Sequence, residues 1–428
     1  IGNISDKEKR MVYNESKYNK NWKTMKLSDL GEFARGKSTH RPRNDKNLFE
    51  GGGYPLVQTG EIKEANLYIT HHTQEYGEFG LQQSKLWDAE TLCITIAANI
   101  AETALLAYPM CFPDSVVGFK AYKEVSSEKF MYYVFDFIRN SIQNAASGST
   151  QDNINIDYLT SLDFKVPDKI AQDKMVELLS AIDEKILMNS KINDNLEQQA
   201  KLIYDYWFTQ FDFPDENGKP YCSSGGKMVW DEQLKRNIPE NWNVVPLLKL
   251  VSWESNSQPP KSEFVYEPKE GYVRFIQNRD YDSDTHITYI PRTKNLSIVD
   301  RFDILMDKYG DAGAVRYGIE GAFNVALGKI CVHNPNYREY IRSFLGSDGI
   351  YKFLHNSCMA STRASLSEAN LAILNVVVPD EKIILDYENF LQKIRVSILK
   401  NKDETVELIN LRDWLLPMLM NGQATIAD

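Results

Sequence analysis

The chain has 428 residues, 43% hydrophobic and 25% charged, which is the balance of a globular protein with room for two to four domains. A formal charge of −10 argues against a general nucleic-acid coat and leaves room for local basic patches. Nothing reads as a signal peptide or a membrane-spanning run, and Cys93, Cys111, Cys222, Cys331 and Cys358 are scattered without a CxxC. The expectation is a chain with reduced, cytosolic thiols, no metal site and no membrane association.

A polar segment (1–20) comes first. NWKTMKLSDLGEF then starts at Asn21 and is echoed by NWNVVPLLKLVSW from Asn241. GGYPLVQTGEI (Gly52–Ile62) pairs with GYVRFIQNRDY (Gly271–Tyr281), each a short apolar run ending in polar residues, the pattern of a buried strand and a loop. Thr91–Phe119 and Asp303–Ile330 both read strand, turn, strand, turn, strand. Ser149-Thr150-Gln151 matches Ser361-Thr362-Arg363, and Pro167-Asp168 matches Pro379-Asp380, at one offset of 212 (361 − 149 and 379 − 167). Such a period marks duplicated architecture, and drift of the offset elsewhere marks loops of unequal length on a common scaffold.

After each Pro-Asp the pattern changes to a heptad seam. Met175, Leu179, Ile182, Ile186, Asn189, Asn193, Leu196, Ala200, Ile203 and Trp207 alternate steps of four and three. Tyr387, Leu391, Ile394, Ile398, Asn401, Thr405, Leu408, Arg412, Leu415 and Leu419 repeat them in phase. Asp168 and Asp380 are suited to N-caps, and a helix from Asp168 to Phe208 is ~60 Å long. The polar steps fall at one level in both seams, where an asparagine fixes register at a cost in stability. An antiparallel helix pair is therefore expected. Arg412 stands where the first seam has Ala200, so its charge either lies at a frayed end or meets a partner. The Pro-, Gly- and Ser-rich stretch 210–240 reads as a linker that Phe211, Phe213, Tyr221 and Trp230 pin to a surface.

Taken together, GSTQDNI before a strand and VPD, the helix with AIDEKILMNSKI, YDYWFTQFDFPDENGKPYCSSGGKMVW, FIQNRDY and YGDAGAVRYGIEGAFNVALGKI resemble the specificity (S) subunit of a Type I restriction–modification system. The resemblance runs from Asn21 to near the end. It implies a mixed α/β fold with target-recognition domains at 21–166 and 241–378, helical spacers at 167–209 and 379–423, and a tail at 424–428. It also implies that each domain reads one half of a split site in double-stranded DNA, and that the helices set the gap and dock two methyltransferase (M) subunits. On this reading S-adenosylmethionine belongs to the M subunits, restriction (R) subunits join for cleavage, and the chain binds no cofactor and has no catalytic centre.

Two echoes of catalytic motifs fail on chemistry. Asn334-Pro335-Asn336-Tyr337 resembles the NPPY loop of amino-methyltransferases, but the third residue is Asn and no FxGxG precedes it, so a turn is expected. Asp168 with Asp183-Glu184-Lys185 resembles a nuclease carboxylate set, yet on one helix Asp168 and Asp183 stand ~22 Å apart. No phosphate loop, GxGxxG or nucleophile elbow occurs. A stand-alone DNA-modifying enzyme and a scaffold that never touches DNA remain the rival classes.

Candidate DNA contacts follow from residue chemistry. RGKSTHRPRNDK sets Arg35, Lys37, Arg41, Arg43 and Lys46 against one Asp45, a loop suited to phosphates, or equally a solvated charged loop; its counterpart ESNSQPPKSEF is far less basic. In the repeated triplets, Gln151 suits an adenine edge and Arg363 a guanine or phosphate, beside the hydroxyls of Ser149, Thr150, Ser361 and Thr362. An ST-turn is the structural alternative. Gln58-Thr59 and Gln277-Asn278-Arg279 end matching strands, as readers or as turns. Tyr309, Asp311, Arg316, Asn324, Asn99 and Asp114 complete the set.

Overall fold

The computed structural model describes residues 12–147, 154–282, 286–359 and 365–426. The chain divides into two compact units. One holds the chain up to Asn189 together with Asp403 onward, and the other is Ser190–Lys402.

In the first unit, Lys23–Lys26 pairs antiparallel with Asp163–Val166. A five-stranded sheet runs in the order Gly31–Arg35, Val116–Ala121, Leu92–Thr95, Thr103–Leu106, Tyr68–Ile69, and a four-stranded one in the order Gln74–Tyr76, Tyr54–Leu56, Met110–Cys111, Leu86–Trp87. Leu92–Thr95 and Thr103–Leu106 are buried at every residue, which is why they read as unbroken apolar runs. The helix Glu128–Ser147 contributes Phe130, Met131, Tyr133, Val134, Phe135, Ile138 and Ile142 to the same core.

The second unit repeats the core of this plan. Asn243–Pro246 pairs with Asn375–Val378. One sheet runs Val251–Glu254, Leu327–Val332, Ile304–Asp307, Val315–Arg316, and another Tyr289–Pro291, Tyr272–Ile276, Gly321–Phe323, Ile298–Val299. Even the parallel pair recurs, Leu56 with Cys111 and Ile276 with Phe323. The expected duplication is therefore a duplication of topology. Two differences stand out: the first unit adds the edge strand Tyr68–Ile69, and its helix Glu128–Ser147 is matched by two, Arg338–Leu345 and Asp348–Met359, parted at Gly346.

The long helices are Lys169–Tyr204, followed by a π-helical turn at Asp205–Thr209, and Glu381–Met420. Asp168 caps the first, its carboxylate accepting from the amide of Ala171 at 2.8 Å. Within the first unit the segments run antiparallel, with Asp183 against Arg412 and Asn189 against Thr405. Within the second unit Asn193 meets Asn401, Glu197 meets Arg395 and Trp207 meets Tyr387, again antiparallel. Ile182, Ile186, Ile394 and Ile398 are buried along the seam, as its period requires. The amide of Asn401 donates to Asn193 at 2.9 Å, and that of Asn189 donates to Thr405 at 3.4 Å and Glu404 at 2.8 Å, so the polar steps are matched pairs. A second-unit ion cluster stands beside them. Arg395 and Arg342 both hold Glu339, whose burial would raise its carboxyl but which the two guanidiniums keep below the ordinary range.

The stretch after the first long helix is well packed. Phe211 and Phe213 are buried, Phe213 stacks on Trp242 at 4.7 Å, and Met228–Asp231 forms a hairpin with Arg236–Pro239. Among the described residues no helix is long and apolar enough to cross a membrane, and no cluster of His, Cys, Asp and Glu is placed to hold a metal.

Candidate nucleic-acid interface

Sheet register gathers three loops at one end of the first unit. Arg35, the last residue of its strand, pairs with Val117. Val116 pairs with Thr95, and Ile94 with Thr103. The basic loop after Arg35, the segment before Val116 and the hairpin loop 96–102 therefore leave the sheet side by side. The second unit does the same with the loop after Glu254, the segment before Leu327 and the hairpin loop 308–314.

Asp114, in the segment before Val116, organises the basic loop. It accepts from Arg43 at 2.5 Å and lies 3.5 Å from Arg41, which also donates to the carbonyls of Ser38 and His40. Asp45 accepts from the amide of Asn47 and bonds His40 at 2.7 Å, and these bonds hold its carboxyl below the ordinary range. Arg35, Lys37, Arg41 and Arg43 are all exposed. The corresponding loop of the second unit is built without a basic cluster: Asn256 bridges it to Ser297 through its amide at 2.9 Å and its carbonyl at 3.0 Å.

Gln58 and Gln277 each stand at the N-cap of a short helix, Thr59–Glu64 and Asn278–Tyr281, just after the strands Tyr54–Leu56 and Tyr272–Ile276. The amide of Gln58 donates to Glu61 at 2.7 Å, and Glu61 also receives the amide and hydroxyl of Thr73 at 2.8 and 2.7 Å. Asp280 takes the place of Glu61 in the second unit, receiving the amide of Gln277 at 3.1 Å. Both acids are buried, so a carboxylate accepting the backbone amide of the capping glutamine anchors the same turn in each unit. Asn278 and Arg316 converge on buried Asp307, with the Arg316 Nη2 at 2.9 Å, and burial raises the Asp307 carboxyl against these partners. Arg316 also lies 3.5 Å from Asp311. Arg279 and Tyr309 are exposed, while Asn324 is half-buried and turns its carbonyl to the amide of Ala326. Ser149, Thr150, Gln151, Ser361, Thr362 and Arg363 lie outside the described residues. Asn334 accepts from the amide of Asn336 in a turn, and Asp183 is buried against Tyr133 and Arg412, so neither motif echo forms a catalytic site.

Sequence reasoning did not assign the hairpin loops a shared framework. Ala98 and Ala101 have positive φ (63° and 61°), and the residues 212 further on are Gly310 and Gly313, also positive (71° and 99°). Glycine at these points was the available signal in one copy only.

A duplicated α/β module, each copy presenting three loops at one sheet end and holding its own antiparallel segments of the two long helices, defines a tandem two-module protein. The chain belongs to the family of Type I restriction modification DNA specificity domains, whose model matches residues 19–198 and 239–413. It is similar to the Type I restriction enzyme MjaIX specificity subunit of Methanocaldococcus jannaschii, at 22% identity over 96% of this chain and 95% of that one. It is 23% identical to the HindI specificity subunit of Haemophilus influenzae over 66% of this chain and 73% of that one. Among solved structures, the Type I restriction–modification S subunit from M. genitalium superposes with a TM-score of 0.62 at 16% identity, covering 96% of this chain and 99% of that one.

Proposed function

We propose that this chain is the non-catalytic specificity subunit of a Type I complex, each module reading one half of a bipartite DNA site. The observation that carries the reading is that both modules aim the same three loops from the same sheet end while differing in the side chains on them. A common framework with different tips is what two different half-sites require. Arg35, Lys37, Arg41 and Arg43 supply sequence-independent phosphate contacts, Gln58, Thr59 and Arg279 are candidates for the grooves, and Gln151 and Arg363 are proposed as base contacts on their residue chemistry alone.

The helix pair sets the gap between half-sites and docks two M subunits, which carry S-adenosylmethionine, extract the adenine from the stack and methylate N6. Restriction subunits join for cleavage. Among the exposed large apolar residues away from the seam are Leu178 and Trp414 in one unit and Phe390 and Leu202 in the other. The repeat relates them pairwise (390 − 178 and 414 − 202), which suits two copies of one partner.

The test is methyl transfer from labelled S-adenosylmethionine to DNA by the chain alone, by its M subunit alone and by the two together. Transfer by the assembly only, at adenines in a split motif, is expected. Transfer by the chain alone, or assembly activity with no sequence preference, overturns the proposal.

A further inference from the structure

The hairpin loops 96–102 and 308–314 have different sequences and one framework. Thr95 and Asp307 each donate their amide across the loop, to Glu102 at 2.9 Å and Ala314 at 3.0 Å, and each accepts from Ala101 or Gly313 at 2.9 and 3.0 Å. The amide of Ile96 donates to Ser115 and that of Lys308 to Ala326, at 3.0 and 2.8 Å. Ile154 and Leu366 donate to Ile96 and Lys308, at 3.1 and 2.9 Å. From the following helix, Gln143 donates to the carbonyl of Ile100 at 2.8 Å and His355, 212 residues on (355 − 143), to that of Ala312 at 3.2 Å. Every one of these bonds recurs, and so do both left-handed positions.

Alanine at a left-handed φ costs about 1–2 kcal/mol, so holding Ala98 and Ala101 there requires a framework that over-determines the loop. Within that framework the tips diverge. Ala97-Ala98-Asn99 in one copy answers to Tyr309-Gly310-Asp311 in the other, and Tyr309 is 49% exposed. In each unit one strand, Val116–Ala121 or Leu327–Val332, separates the hairpin from the strand that ends in Arg35 or Glu254, and in the first unit the segment entering that strand carries Asp114, which holds the basic loop.

We infer that these two hairpin loops are preformed specificity readers, with Asn99 reading a base of one half-site and Tyr309 a base step of the other. The inference rests on the half-site reading above. Asn99 carries the paired acceptor and donor that grip an adenine edge, and no hydrogen bond of its side chain is found among the described contacts. Tyr309 presents an exposed ring and hydroxyl to a groove. Rigid presentation matters because the ordering cost is already met before DNA arrives.

The test uses the full chain assembled with its M subunit and a randomised DNA library, with the methylated sequences read out. Asn99→Ala is expected to relax one position of a single half-site by ~10- to 100-fold. Tyr309→Ala is expected to relax the other half-site only. Unfolding midpoints of both variants equal to the parent's exclude folding damage. A parent showing a bipartite motif, with variants that change neither half-site or both together, overturns the inference and leaves the proposed function standing. A parent without a bipartite motif overturns both.

Discussion

Arg412 donates to Asp183 at 2.9 Å across the seam of the first unit, at the position where the repeat places Ala200. Asp183 is buried and also accepts from Tyr133 at 2.6 Å, so the charge on a seam position meets a partner rather than fraying. Removing one member leaves a buried charge uncompensated. Arg412→Ala should destabilise the chain by about 2–3 kcal/mol, less than a wholly buried pair because Arg412 is partly exposed. The double variant Asp183→Ala/Arg412→Ala should cost less than the two single changes added together, by about 1–2 kcal/mol. Urea unfolding of the four proteins of the cycle measures this.

The left-handed alanines give different expectations. Ala98 is exposed, so Ala98→Gly relieves strain with nothing buried to lose and should stabilise by roughly 0.5–1 kcal/mol after the larger unfolded-state entropy of glycine. Ala101 is 1% exposed in the core, and Ala101→Gly gives up a buried methyl worth about 0.8 kcal/mol, so the change should be near neutral. Gly313→Ala should destabilise, because φ is +99° and a Cβ there would lie 3.3 Å from the Leu354 side chain. Thermal melts of the three variants check the order.

Burial raises the Glu388 carboxyl to about 7, against the amide of Glu339 that it accepts at 2.8 Å. The folded chain then holds a proton that the unfolded chain releases near 4.5. Stability from this group therefore falls as pH rises through the window between those values, and is fully present below it. Glu388→Gln keeps the acceptor and cannot ionise. Relative to it, the parent should lose about 2–3 kcal/mol between pH 4.5 and 8, seen as diverging melting temperatures.

The proposed docking of two M subunits on repeat-related apolar residues has a stoichiometric consequence. Trp414→Glu should remove one M subunit from the assembly, and Leu202→Glu with Trp414→Glu both, by roughly tenfold or more in affinity per site. Native mass spectrometry counts them. Retention of two M subunits by the double variant contradicts the assignment.

Much of this fold was legible because the repeat supplied an internal comparison. Two copies of strand, turn, strand, turn, strand at one offset located the sheets, and a heptad seam continuing in phase located the helix pair. What escaped was tertiary. The acid that anchors Gln58 sits three residues away, but its bonds to Thr73 depend on how the chain returns just before the strand Gln74–Tyr76. Asp114 lies 71 residues from Arg43, and nothing local marks it as the organiser of the basic loop. The aromatic residues after the first long helix were legible as anchors, and their site, Trp242, only through packing. The framework of the hairpin loops emerged only when bonds could be compared copy against copy.

The account stands most directly on the helices as a ruler between two readers. Because Asn189 with Thr405 and Asn193 with Asn401 are matched pairs, a change of length must be made in both helices to keep the seam in register. Seven residues inserted after Ser190 and seven after Lys402 lengthen the pair by about 10 Å, or about three base pairs. The methylated motif of the assembled complex should then keep both half-site sequences and widen its gap by about three base pairs. An unchanged gap with altered half-sites would contradict the account.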